Sequence, residues 1–108
     1  MEYASLKKFY CGTVPAIKNT IYSVPTDDNH GASVVREMMV HNSDPNEHVN
    51  FILYVNDVQF VNQKIAPNDS LMLGNEWYMV LEPGDAIAVA TTKANVVNVF
   101  ASGSETFK

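Results

Sequence analysis

In the stretch His48-Val49-Asn50-Phe51-Ile52-Leu53-Tyr54-Val55, an extended backbone sends Val49, Phe51, Leu53 and Val55 to one side. His48, Asn50, Ile52 and Tyr54 go to the other. Period two is the mark of a half-buried β-strand, because successive side chains of an extended chain point to opposite faces. The same period runs through Ile17 to Val24, Glu76 to Leu81, Asp85 to Thr92 and Val96 to Ser102. Val34 to His41 is apolar on both faces, which predicts a central strand. Met38 and Met39 are good helix formers, but the β-branched content and the flanking turns outweigh them. Ala86, Ala88 and Ala90 leave one strand face small, so another layer can approach closely there.

Turn signals separate these runs at the spacing of about 8–12 residues expected of sandwiches and barrels. They fall at Val14-Pro15, Pro25 to Gly31, Asn42 to Asn46, Asn56-Asp57, Pro67-Asn68-Asp69, Gly74-Asn75, Pro83-Gly84-Asp85 and Lys93-Ala94-Asn95. In Glu82-Pro83-Gly84-Asp85 the proline presets φ and the glycine supplies positive φ. No long helix, internal repeat or second domain is visible. The expected fold is all-β: a single antiparallel β-sandwich, jelly-roll or immunoglobulin-like, of about eight strands. Residues 1–10 read as an N-terminal arm or edge strand, and residues 11–108 as the sandwich domain.

At 46% hydrophobic and 18% charged residues, the 108-residue chain has enough apolar material for a core, which argues against wholesale disorder. Seven basic residues stand against twelve acidic ones, and only Lys7 and Lys8 are adjacent. Nucleic-acid binders cluster cations on one face to neutralise phosphates, and polybasic membrane surfaces do the same for lipid headgroups. Neither partner is expected. Cys11 is the only cysteine, so no intrachain disulfide forms. Met1 to Lys8 holds no apolar run, so no signal peptide is expected, and no run approaches the length of a membrane helix. Synthesis in the cytoplasm follows as an expectation.

Catalytic motifs are missing: there is no Gly-x-Ser-x-Gly elbow, phosphate-cradling glycine loop or His-Glu-x-x-His. Cys11 has no histidine near it in sequence and reads as a small hydrophobe. His30, His41 and His48 invite a metal reading, since His41 and His48 flank a loop holding Asp44 and Glu47. The spacing matches no ligand pattern, however, and two solvent-exposed histidines at strand ends is the plainer reading. We therefore expect no enzyme, no cofactor and no metal. Trp77, Tyr78 and Tyr22 have the chemistry of a sugar-stacking platform. Trp77 alternates with Met79 and Leu81, which assigns it to the core face, while Tyr54 and Tyr78 fall on the other phase. Protein contact is the favoured use of these residue types.

Three stretches then carry a resemblance: Ile65-Ala66-Pro67-Asn68-Asp69-Ser70-Leu71, Leu81 to Ile87, and Ala94 to Gly103, the last reading ANVVNVFASG. With Val34 to Ser43 and Phe51 to Val55 before them, this ordered set resembles small virion structural proteins of tailed bacteriophages. The likeness covers Ile17 to Glu105. It implies a β-sandwich built into the virion, most simply a capsid decoration (cement) protein bound to the major capsid protein, or a head-fibre or tail component. The alternative it leaves open is a tail or baseplate protein that binds host-surface sugar. It implies no catalytic residues. It also implies a virion location after synthesis in the host bacterial cytoplasm, and other virion proteins as partners. A homo-oligomer is expected, a cyclic trimer suiting such modules. The contact residues expected from exposure lie in Met1 to Tyr10, Pro25 to Gly31 and Asp44 to Glu47: Tyr3, Lys7, Lys8, Tyr10, Asp27, Asp28, His30, Asp44 and Glu47.

Overall fold

The computed structural model describes residues 3–74 and 77–108. Met1 and Glu2, Asn75 of the Gly74-Asn75 turn and Glu76 of the Glu76 to Leu81 run lie outside the described residues. The strands are β1 (Tyr3–Val14), β2 (Asn19–Ser23), β3 (His30–Asn42), β4 (Val49–Val55), β5 (Val58–Ile65), β6 (Ser70–Leu73), β7 (Met79–Leu81), β8 (Ala86–Thr91) and β9 (Val97–Phe107). One sheet runs β1-β9-β3-β6, with β7 also paired to β3; the other runs β2-β8-β4-β5. Every strand pair is antiparallel. The chain is an antiparallel β-sandwich.

The topology also decides between the two sandwich types. β1 pairs with β9, β2 with β8, β3 with β6 and β7, and β4 with β5. These pairs are nested, as in one long hairpin folded at Asn56-Asp57 and rolled so that β9 meets β3 and β8 meets β4. That is the jelly-roll order, and the immunoglobulin-like alternative is set aside. Among the described residues nine strands replace the expected eight or so, because β6 and β7 are two short pieces sharing one edge of β3.

Local chemistry fixes the hairpin. Asn56 and Asp57 both adopt positive φ, 50° and 66°, the pair of values a two-residue type I′ turn requires. Gly84 takes φ 93° in the Pro83-Gly84-Asp85 turn. Between the sheets lie Val35, Met38 and Val40 of β3, Phe51 and Leu53 of β4, Ile87 and Val89 of β8, and Val97, Val99 and Ala101 of β9, all buried. Val49, Phe51 and Leu53 occupy the inner face of β4 with Val55 at its margin, as the alternation requires. β3 is central, flanked by β9 on one side and β6 and β7 on the other. β1 runs unbroken across residues 10 and 11 as an edge strand, paired with β9 from Tyr3 to Val14.

Candidate functional site

Seven of the nine expected contact residues separate toward the two ends of the sandwich, while Lys8 and Tyr10 lie between them, level with Glu37 and Met38 of β3. β3 starts at His30 and ends at Asn42, a run of about 40 Å at the usual rise per residue. Tyr3, Lys7, Asp27, Asp28 and His30 lie near its start, and Asp44 and Glu47 just beyond its finish.

At the first end the inward face of β9 places Glu105 between the sheets, 6% exposed. A buried carboxylate needs partners. Lys7 Nζ lies 3.2 Å away and His30 Nε2 3.9 Å away. Tyr22 donates to Glu105 at 3.5 Å and shares a 2.8 Å hydrogen bond with the buried Ser33. Burial is the main cause that raises the Tyr22 hydroxyl above its ordinary pKa. His30 Nδ1 meets Asp27 at 2.7 Å, and that bond, with the Asn29 N–H, lowers the Asp27 carboxyl. Phe107 closes the end, stacked on Tyr3 and tilted against His30, each at 4.9 Å. Asp28 and Lys8 remain exposed, while Tyr10 is half-buried and packs against the core.

At the other end Asn42, fully buried, donates to the carbonyls of Glu47, Ile65 and Ala66 and accepts from the Asp44 N–H. Asp44 was expected to be exposed. That is corrected: it is 4% exposed. Its carboxylate is taken up by the Asn46 and Glu47 N–H groups and by Lys93, which also reaches Glu47 at 3.3 Å. Lys93 first, then the two N–H groups, hold Asp44 at about 2. The charge reads as exposed from the sequence because its partner lies 49 residues away.

A pH dependence follows. The folded pKa of Asp44 lies below its ordinary 3.8, so its stabilisation is present above that value and is lost as pH falls toward about 2. Urea unfolding midpoints should hold near neutrality and drop across that window. Asp44→Asn should flatten part of the drop, the rest coming from Asp27 and Asp85, which are shifted the same way. A slope unchanged in Asp44→Asn would contradict this.

The aromatic platform of Trp77, Tyr78 and Tyr22 does not form. Tyr22 packs inside, its ring 4.4 Å from that of Phe9. Trp77 is half-buried beside Met79 and Leu81, on the phase expected for it, whereas Tyr78 is exposed. Tyr54 lies on the other sheet, with Lys18 Nζ 4.4 Å over its ring. His41 points outward and bonds Ser70 at 2.8 Å. Among the described residues no group of three or more His, Cys, Asp or Glu stands together as a metal site, and no helix is long and apolar enough to cross a membrane.

The outer face of the five-stranded sheet carries an apolar row. Cys11 of β1 pairs in register with Phe100 of β9, Phe100 with Met39 of β3, and Met39 with Met72 of β6. These four outward side chains form an apolar row across four strands, about 14 Å wide at ordinary strand spacing. Met39 and Met72 are 44% and 52% exposed. A depression of about 440 Å³ lies along the row. One neighbouring row is polar, Thr13 bonded to Asn98 and His41 to Ser70; the other carries Lys8, Ser102 and Glu37. Beyond it Leu6, 89% exposed, and Val80 add apolar surface. An apolar centre rimmed by polar rows is the layout of a protein-binding face, and methionine adapts its shape to a partner.

No family model and no curated protein matches the chain. Among solved structures it is similar to the VP2 subviral particle of infectious bursal disease virus, at 15% identity and a TM-score of 0.39, over 98% of this chain and 32% of that one. Similarity to the Gx strain of that virus is 12% with a TM-score of 0.39, over the same shares, and to the Gt strain 15% with a TM-score of 0.30, over 99% and 30%. The chain thus spans about a third of the length of the viral chains it is similar to.

Proposed function

We propose that this chain is a non-enzymatic virion structural protein, a capsid decoration protein that binds the head lattice of a tailed bacteriophage through the outer face of its five-stranded sheet. The observation that carries the reading is the Cys11-Phe100-Met39-Met72 row: an apolar strip in register across four strands and facing outward. The ordered motifs from Ile17 to Glu105 supply the virion context. The jelly roll itself is neutral, since capsid proteins, lectins and cupins all use it. Much of the charge in the expected contact segments is turned inward: Lys7 and His30 toward Glu105, and Asp44 toward Lys93. The mechanism is mass action. Copies that bind the assembled lattice more tightly than free subunits stabilise the assembled state.

Co-sedimentation with undecorated phage capsids tests this. The wild-type chain should pellet in fixed stoichiometry, and Met39→Asp should weaken binding by at least about tenfold, as loss of a central apolar contact does. Both side chains point to solvent, so the variant should keep its fold by circular dichroism. Equal pelleting of wild type and variant would reject the face, and no pelleting would reject the function.

A further inference from the structure

On one flank the two sheets do not close. Leu53, Val55, Phe60 and Val61 from one sheet, and Met79 of β7 with the preceding Trp77 from the other, line an apolar slot of about 390 Å³. β5 is one of the two edge strands of its sheet, β2 being the other. Its register with β4 passes from Val61 opposite Leu53 to Gln59 opposite Tyr54, so Phe60 is the extra residue of a bulge. Phe60 and Val61 both line the slot, and Val58 opposes the inward Val55. These are core-phase positions, yet Phe60 is 67% and Val58 56% exposed. Residues patterned for an interior lie open to solvent.

We propose that a second copy of this chain covers the slot, by antiparallel pairing of β5 with β5 across a two-fold axis at Val61. The covering group has to satisfy a row of unpaired backbone amides and carbonyls as well as apolar carbon, and a strand does both where a small apolar ligand does only one. β5 is itself a suitable strand: it has neither proline nor glycine, and Lys64 is its one charge. Asp57, in the preceding turn, is held by Lys18 at 2.5 Å. With the axis at Val61, Lys64 faces Val58 of the second copy, so no like charges meet. The same axis sets the two Phe60 rings beside each other, over both slots. A bulge often guards an edge against pairing; here it turns an aromatic ring into the opening.

The size is sufficient. An eight-residue strand spans about 26 Å, and the molecule is 20 Å through its thinnest direction. Complete contact along that flank would bury about 500 Å² per copy, so about 1,000 Å² in total, the least that a specific interface needs. The pairing uses a different surface from the capsid-facing one and needs no capsid.

Light scattering on the full chain across a dilution series tests it. The mass should rise with concentration from 12.0 kDa toward twice that value. Phe60→Glu and the milder Phe60→Ser should weaken self-association at least about tenfold, with circular dichroism unchanged. A chain that stays monomeric throughout would overturn the proposal. So would an oligomer that both variants preserve, or a monomer found by native mass spectrometry to carry an apolar small molecule.

Discussion

Gly103→Ala should cost about 4 kcal/mol or more, enough to leave much of the protein unfolded at ambient temperature. Gly103 is buried in β9, between Lys7 of β1 and Val35 of β3. Next to it β3 carries a bulge between Val35 and Glu37, which pushes its backbone toward β9. A Cβ on Gly103 would stand 1.9 Å from the Val34 carbonyl oxygen and 3.0 Å from the Arg36 nitrogen. Backbone atoms cannot swing aside as a flexible side chain can. The β3–β9 pair would have to part, and it joins the two most central strands of the sheet. Thermal melts should show Gly103→Ala unfolded or strongly destabilised, whereas Ser102→Ala, on the outward phase, should melt within a few degrees of wild type. Equal melting of the two variants would mean the bulge is not packed as described.

Phe51→Ala should cost about 3–5 kcal/mol, the usual range for emptying an aromatic site in a core. Phe51 is fully buried in β4, opposite Thr91 of β8 and Gln63 of β5. A strand in mid-sheet has little freedom to collapse into the space left behind. Tm should fall by on the order of 20 °C for a domain of this size. Ile52→Ala, which removes a half-buried side chain on the opposite face, should cost less. A loss below about 1 kcal/mol for Phe51→Ala would be outside the range of core truncations and would contradict the packing.

Phe51 was legible because alternation is a local signal: residues 48 to 55 state their own inside and outside. The turns were legible for the same reason, Asn56-Asp57 and Gly84 each carrying their φ requirement in their own chemistry. β3 is the instructive case. Its two apolar faces predicted a central strand, and it is one. Part of the outer apolarity, at Met39, is exposed and belongs to the candidate binding row instead. Period two cannot distinguish an apolar face that is covered from one that awaits a partner.

Pairings distant in sequence were not legible. Lys7 with Glu105 and Asp44 with Lys93 join residues that only the nested strand order brings together. Read singly, Lys7 and Asp44 looked like exposed contact residues, and nothing local to Asp44 announced its burial. The platform of Trp77, Tyr78 and Tyr22 failed for a related reason. Residue type shows what an aromatic ring can stack on, but the fold assigned Tyr22 to the interior and Tyr78 to the surface. The slot beside β5 had a sequence trace only in the apolar Val58, Phe60 and Val61, which do not alternate with period two, and the bulge that turns Phe60 into the opening depends on β4.

Under the proposed function, the outer face of the five-stranded sheet binds the capsid lattice. The most direct test is an electron cryomicroscopy reconstruction of undecorated capsids incubated with the protein. Ordered density for the sandwich is expected at repeated lattice positions, with the Cys11, Phe100, Met39 and Met72 row turned toward the shell. Density with that row turned to solvent, or no added density at saturating protein, would contradict it.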